Sequence, residues 1–209
     1  RSDLSDNVRF IGSLLPYRGG RKEQWHDERL TRYQKVILVT QGTVEKDIDK
    51  IIVPTLEAFK DTDTLVVCTT GGSNTGSLRE RYPFDNIIIE DFIPFEDVMP
   101  FANIYITNGG YGGVMLGIEN KLPMIVAGLH EGKNEINARI GYFELGINLK
   151  TERPSARQIK NAAVQIFSDN NYKANVEILA NEFAGYIPNE LVHDYAKQLL
   201  KATKAMEAA

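Results

Sequence analysis

Hydrophobic positions along this chain fall into short unbroken runs separated by amphipathic stretches. KVILVT (35–40), DTLVVCTT (63–70), NIIIEDF (86–92), NIYIT (103–107), PMIVAG (123–128) and GINL (146–149) are the runs. Runs this apolar read as strands of a parallel sheet buried on both faces, with helices in the intervals between them. The interval after the first run predicts a helix over Val44–Phe59, with Ile48, Ile51, Ile52, Thr55 and Phe59 on one face. GGSNTG is a loop by composition, and FEDVMPF, flanked by Pro94 and Pro100, is a short helical turn. After Thr151 the pattern is helical throughout. SARQIKNAAVQIFSD starts with Ser155 as N-cap and ends before Asn170-Asn171, YKANVEILANEFAGY follows, and a last helix starts at Pro188. The fold class is therefore α/β, with about six parallel strands, helices on both faces and added C-terminal helices.

The first part of the chain lacks this rhythm. NVRFIGSLLPY offers a short extended segment, and RGGRKEQWHDER, with paired glycines and dense charge, reads as a surface linker carrying Trp25 and His26. Residues 1–32 are accordingly not expected to supply packed core. The chain has 209 residues, 43% hydrophobic and 25% charged, which are ordinary values for a globular protein able to bury a sizeable core. Its net charge of −4 argues against nucleic acid as a partner. The lone cysteine, Cys68, allows no internal disulfide and points to a reducing, cytoplasmic setting. No apolar stretch approaches the roughly 18 residues of a membrane span, and no signal peptide is visible.

Candidate chemistry concentrates between Ile104 and Arg139. A strand (Ile104–Thr107) runs into a glycine-rich turn (Asn108–Gly113), and a helix follows at once. Glycines there let backbone N–H groups approach an anion, and the helix N-terminus adds roughly half a positive charge. Ligands of such sheets lie beyond the C-terminal strand ends, which places QGT, TTGG, NGGYGG and GLHEGKN along one crevice. NGGYGG has no G-x-G-x-x-G register, because Met115 stands where the last glycine belongs. GLHEGKN has one residue too few for a P-loop, and Asn134 replaces the metal-binding hydroxyl. His26, His130 and His193 form no metal-ligand spacing, and no G-x-S-x-G elbow is present. The turn is thus expected to seat a diphosphate, with no metal.

The order DNIIIEDFIPFEDVMPFANIYITNGGYGG, helix, LPMIVAG, then NARIGYFELGINL resembles the C-terminal, donor-binding domain of a GT-B glycosyltransferase. The similarity is to the UDP-sugar-dependent family that includes macrolide and UDP-glucuronosyl transferases, and it covers roughly residues 7–200. It implies a Rossmann-like domain over 35–209, half of a GT-B fold, preceded by an interdomain linker or extension over 1–34. It further implies that Phe92 stacks on uracil and that backbone groups at Ile93 read the base edge. Thr43, Asn108, Gly109, Gly110, Gly112 and Gly113 would face the diphosphate.

Several positions depart from the family's pattern. Asn108 stands where many members have histidine, Gly113 where a Ser or Thr is common, and Leu116 where a glutamate holds the ribose. Glu119 lies one helical turn further on. Gly132-Lys133 replaces an Asp-Gln pair that grips the sugar. Lys133 is then expected to supply charge to the diphosphate, with Glu131, Asn134 and Glu135 on the sugar. The departures imply either a rearranged site or a domain that has lost donor binding, and the glycines favour the first.

The implied reaction is an inverting, metal-independent transfer of a hexosyl group from a UDP-sugar to an acceptor hydroxyl. The nucleotide-sugar is a substrate, and no cofactor is expected. The base belongs to an N-terminal acceptor domain of roughly 200 residues before Arg1, so no catalytic residue is expected in this chain. Alone, it should bind donor weakly and turn over no acceptor. A nucleotide-sugar epimerase of similar fold and a non-catalytic interaction module remain as alternatives.

Overall fold

The six apolar runs pair into one sheet. In the computed structural model, which describes residues 4–5, 7–14, 24–42 and 44–207 (backbone alone from 202), the strands are β1 (Lys35–Thr40), β2 (Thr64–Thr69), β3 (Ile87–Glu90), β4 (Ile104–Thr107), β5 (Met124–Val126) and β6 (Gly146–Asn148). Their order is β3-β2-β1-β4-β5-β6, and every pairing is parallel. Alternation along each strand feeds two cores. Ile37, Val39, Val66, Cys68, Ile104 and Ile106 face α2 (Ile52–Phe59) and α7 (Ala156–Ser168). Val36, Leu38, Leu65, Val67, Tyr105 and Met124 face α5 (Tyr111–Glu119), α6 (Lys133–Tyr142) and α8 (Asn171–Ala184). Among the described residues no helix is long and apolar enough to cross a membrane.

Helix starts follow local chemistry. Ser155 caps α7 as expected and forms a full capping box: Gln158 N–H donates to Ser155 Oγ at 3.3 Å, and Ser155 N–H donates to Gln158 Oε1 at 2.9 Å. Pro188 opens α9 (Pro188–Glu207).

The predicted helix over Val44–Phe59 is half its expected length, since α2 begins only at Ile52. Pro54 is the reason. Its ring would strike the carbonyl of Lys50 in a continuous helix, and it has no N–H to donate, so it tolerates only a first turn. Residues 44–51 instead form turns held by Gln41 Nε2, which donates to Asp47 O at 2.9 Å, and by Asp47 N–H, which donates to Glu45 Oε1 at 2.9 Å. A short α3 (Thr75–Arg81) takes up the last two residues of GGSNTG and was not expected, because TGSLRER offers Leu78 alone as an apolar signal.

The charged N-terminal stretch also departs from expectation. Leu30, on α1 (Arg29–Arg32), is buried in the α5 side of the core, and Trp25 packs against the same cluster. Trp25 N–H donates to Asp97 Oδ2 at 2.9 Å on α4 (Phe95–Val98). Arg29 donates to the carbonyls of Asp85 (3.1 Å) and Ile87 (3.2 Å) at the entry to β3.

Candidate functional site

The strand order reverses direction between β1 and β4, so the loops leaving these neighbours diverge and open a crevice at their C-terminal ends. Asn108, directly after β4, bridges the two loops. Its Nδ2 donates to Gln41 O, and its Oδ1 accepts from Gly110 N–H at 3.1 Å. Both polar ends of this side chain are therefore engaged with backbone.

The glycine-rich turn is shorter than the sequence suggested. It spans residues 108–110, and Tyr111, Gly112 and Gly113 already form the first turn of α5. Gly110 is the cap residue and offers no side chain, so no side-chain hydrogen bond caps the helix; its carbonyl takes the first helical bond, from Val114 N–H at 3.0 Å. The N–H groups of Tyr111, Gly112 and Gly113 thus lack helical acceptors. Gly110, Gly112 and Gly113 line a cavity of about 450 Å³ together with Thr40, Gly42, Thr107 and Asn108. Asp91, Phe92, Ile93, Phe95, Tyr105 and Leu116 line the same cavity. Phe92 is 68% exposed, and Ile93 is buried. Phe95 and Tyr105 meet edge to face with ring centroids 6.4 Å apart.

One glycine of the turn has a different task. Gly109 has φ +79°, and a Cβ there would lie 1.7 Å from Asn137 Oδ1. Asn137, on α6, is fully buried and donates through Nδ2 to Gly128 O at 3.0 Å. A Cβ on Gly128 would in turn sit 2.4 Å from Asn108 O. Gly109, Gly128 and Asn137 therefore clamp the loop after β4 onto the loop after β5. Sequence reasoning missed Asn137, since a polar residue in NEINAR gives no sign of burial.

Of the expected site residues, Phe92, Ile93, Asn108, Gly110, Gly112 and Gly113 line the cavity, as does Leu116, while Gly109 lies behind it. Thr43 lies outside the described residues. Lys133, Glu131, Asn134 and Glu135 gather at the start of α6, off the cavity wall. Lys133 Nζ pairs with Glu131 Oε2 at 2.5 Å, and that contact holds the Glu131 carboxyl below the usual carboxylate range. Glu119 lines a separate depression with Ser13 and Met115. A second hollow of about 450 Å³, between α5, α6 and α8, is walled mainly by apolar side chains, among them Val114, Ile118, Ile140 and Leu179. Among the described residues no group of three or more His, Cys, Asp or Glu could hold a metal ion.

Charge ties the loops after β1 and β5 together. Lys50 Nζ lies 2.6 Å from Glu45 and 3.4 Å from Glu152, whose Oε1 accepts the N–H groups of Leu129 and His130. The Lys50 contact holds the Glu45 carboxyl below its ordinary value. Burial works to raise Glu152, but the two N–H donors and Lys50 outweigh it, and the net shift is downward. Groups with a lowered folded pKa stabilise the fold above the ordinary carboxylate value of 4.5, and that stability is lost as pH falls through the folded value. Lys50, shifted upward, keeps its charge well above neutrality. The melting temperature should therefore hold between pH 7 and 5 and fall below that. Lys50→Met should lower stability by about 1 kcal/mol at pH 7 and flatten the acid limb of a thermal melt series.

A model of the erythromycin biosynthesis protein CIII-like C-terminal domain matches residues 54–198. UDP-glycosyltransferase 2 of Phaeomoniella chlamydospora is 32% identical over 209 residues, covering 97% of this chain and 46% of that protein. The 4'-demethylrebeccamycin synthase of Lentzea aerocolonigenes is 33% identical over 187 residues, covering 88% of this chain and 43% of that protein. The chain thus spans about half the length of the curated relatives it matches. The calicheamicin glycosyltransferase shares the fold, with a TM-score of 0.79 at 20% identity over 96% of this chain and 50% of that one. VinC, a glycosyltransferase solved in complex with dTDP, superposes with a TM-score of 0.69 at 16% identity over 84% of this chain and 44% of its own. With its matched segment carrying both the parallel sheet beyond β1 and the open end of α5, this chain belongs to the erythromycin biosynthesis protein CIII-like C-terminal domain family, the C-terminal half of GT-B glycosyltransferases.

Proposed function

We propose that this chain seats the nucleotide-sugar donor of a two-domain glycosyltransferase, which moves a hexosyl group from a UDP-sugar to an acceptor hydroxyl. The observation that carries this reading is the uncapped start of α5, whose first-turn residues line a cavity that Phe92 also lines. The diphosphate would lie on the amides of that turn and the positive end of the helix, and the base would stack on Phe92. In transfer, a base from the N-terminal acceptor domain takes the acceptor proton and the oxygen attacks the anomeric carbon with inversion. The uridine diphosphate leaves, its growing charge met by preorganised N–H donors rather than a metal. Residues 35–209 form the donor unit, and 1–34 the approach from the acceptor domain. A cytoplasmic setting belongs to the same reading and rests on the single thiol of Cys68.

Calorimetric titration tests it. Wild-type chain should bind UDP. Nothing lies within 4 Å of a Cβ placed on Gly112, so Gly112→Val should keep its melting temperature while a branched side chain bars ligand from the amides. Its affinity should drop at least about tenfold, the worth of one charge-assisted hydrogen bond. Lys133→Ala should weaken binding by only about threefold, since Glu131 already screens this cation at the crevice edge. Absence of heat with UDP, dTDP and GDP alike would leave a non-catalytic module.

A further inference from the structure

Tyr105 is an odd occupant of a buried parallel strand. It is 1% exposed, lies in the core beneath α5, and yet contributes to the cavity wall. Thr107, two residues on and 2% exposed, shares its face of β4, and a Cβ on Gly113 would stand 3.5 Å from its hydroxyl oxygen. Burial pushes the Tyr105 hydroxyl up to about 12, so it stays protonated at neutral pH. The cavity that Tyr105 lines is the outlet for the phenol's proton.

The helix above is cut to fit this hydroxyl. A Cβ on Gly113 would stand 3.1 Å from Tyr105 Oη, and one on Gly117 would stand 3.2 Å from Tyr105 Cδ1 and 2.8 Å from Met124 Sδ. Glycine at both positions lets α5 ride directly on the ring. The hydroxyl then lies against Gly113 in the first turn of α5, and both residues line the cavity where the diphosphate is proposed to lie. Phenylalanine would fill the same core volume without burying a polar group, so the oxygen calls for a use.

We propose that Tyr105 is a ligand-binding residue whose hydroxyl donates a hydrogen bond to the donor's diphosphate, joining the amides of α5 from below. This rests on the donor-binding reading above and adds a side-chain donor to it. Gly113 brings no side chain of its own, and Tyr105 brings a hydroxyl to the same spot from the preceding strand.

Titrating UDP and uridine against wild type, Tyr105→Phe and Tyr105→Phe/Gly113→Ser tests this, with thermal melts as the check on folding. Tyr105→Phe should bind UDP about fivefold to tenfold more weakly, as expected for one hydrogen bond to an anion, with uridine binding unchanged. Removing the phenol oxygen also makes room for a Cβ at 113, so the double variant should regain most of the lost affinity, whereas Tyr105→Phe/Gly113→Ala should not. Equal UDP affinity in wild type and Tyr105→Phe would overturn the inference and leave the donor site standing. A matching loss for uridine would also overturn it, by assigning Tyr105 to the shape of the base pocket. No UDP binding by wild type would instead remove the donor-site reading on which it rests.

Discussion

Gly109→Ala is expected to destabilise the fold by about 3 kcal/mol and to abolish nucleotide binding, although the added methyl never enters the cavity. Two effects combine. The backbone at 109 has φ +79°, a region that costs alanine about 1 kcal/mol. The new Cβ would also lie 1.7 Å from Asn137 Oδ1 and 2.5 Å from its Cγ, and Asn137 is fully buried. Moving it breaks the bond to Gly128 O and leaves a buried carbonyl unpaired, worth about 2 kcal/mol.

The two effects can be separated. Asn137→Ala removes the colliding atoms at its own cost of about 2 kcal/mol, for a lost buried hydrogen bond and the space left behind. In that background Gly109→Ala should add only its backbone strain, about 1 kcal/mol. Urea unfolding of the four proteins at pH 7 should then show a coupling of about 2 kcal/mol. Strict additivity would mean that Asn137 does not hold the turn, and the clamp between the loops after β4 and β5 would have to be abandoned.

Why some of this was readable in advance and some was not follows from how each feature is encoded. Six strands were legible because a strand buried on both faces must be a continuous apolar run, and KVILVT or LVVC can hardly be anything else. The α7 cap was legible because Ser155 and Gln158 are near neighbours in sequence. The α2 start is set by Pro54 against an apolar period that runs on unbroken from Val44, so the missing N–H and ring clash decide it rather than the periodicity. The cavity's glycines were found as a group but not told apart. Gly112 leaves space, Gly113 clears Tyr105 and Gly109 clears Asn137, and the last two duties depend on partners distant in fold or sequence. Tyr105 and Thr107 do carry a signal: polar atoms two apart in an otherwise apolar run share one face of the strand. Asn137 carried none, since only tertiary packing makes an asparagine on a polar helix fully buried.

Gly146→Ala should be at least as damaging as Gly109→Ala, about 3 kcal/mol or more, and for a purely spatial reason. Its Cβ would stand 1.9 Å from Met124 O and 2.7 Å from Met124 C, so the obstacle is main chain. Met124 is fully buried in β5 and pairs with Gly146 across the sheet. It cannot yield without parting β5 from β4, so β6, the edge strand, must lift instead. What hangs from β6 reaches the site: Leu149 N–H donates to Val126 O at 2.9 Å, and three residues on, Glu152 accepts the N–H groups of Leu129 and His130. If β6 peels away, those two amides lose their acceptor and the loop after β5 loses its tether to Lys50. Hydrogen exchange should register this locally. Protection at Leu129 and His130 should fall by at least about tenfold beyond the drop that the global destabilisation predicts, while the first turn of α2 follows the global change. Uniform loss of protection across both would mean that the edge strand does not carry the loop.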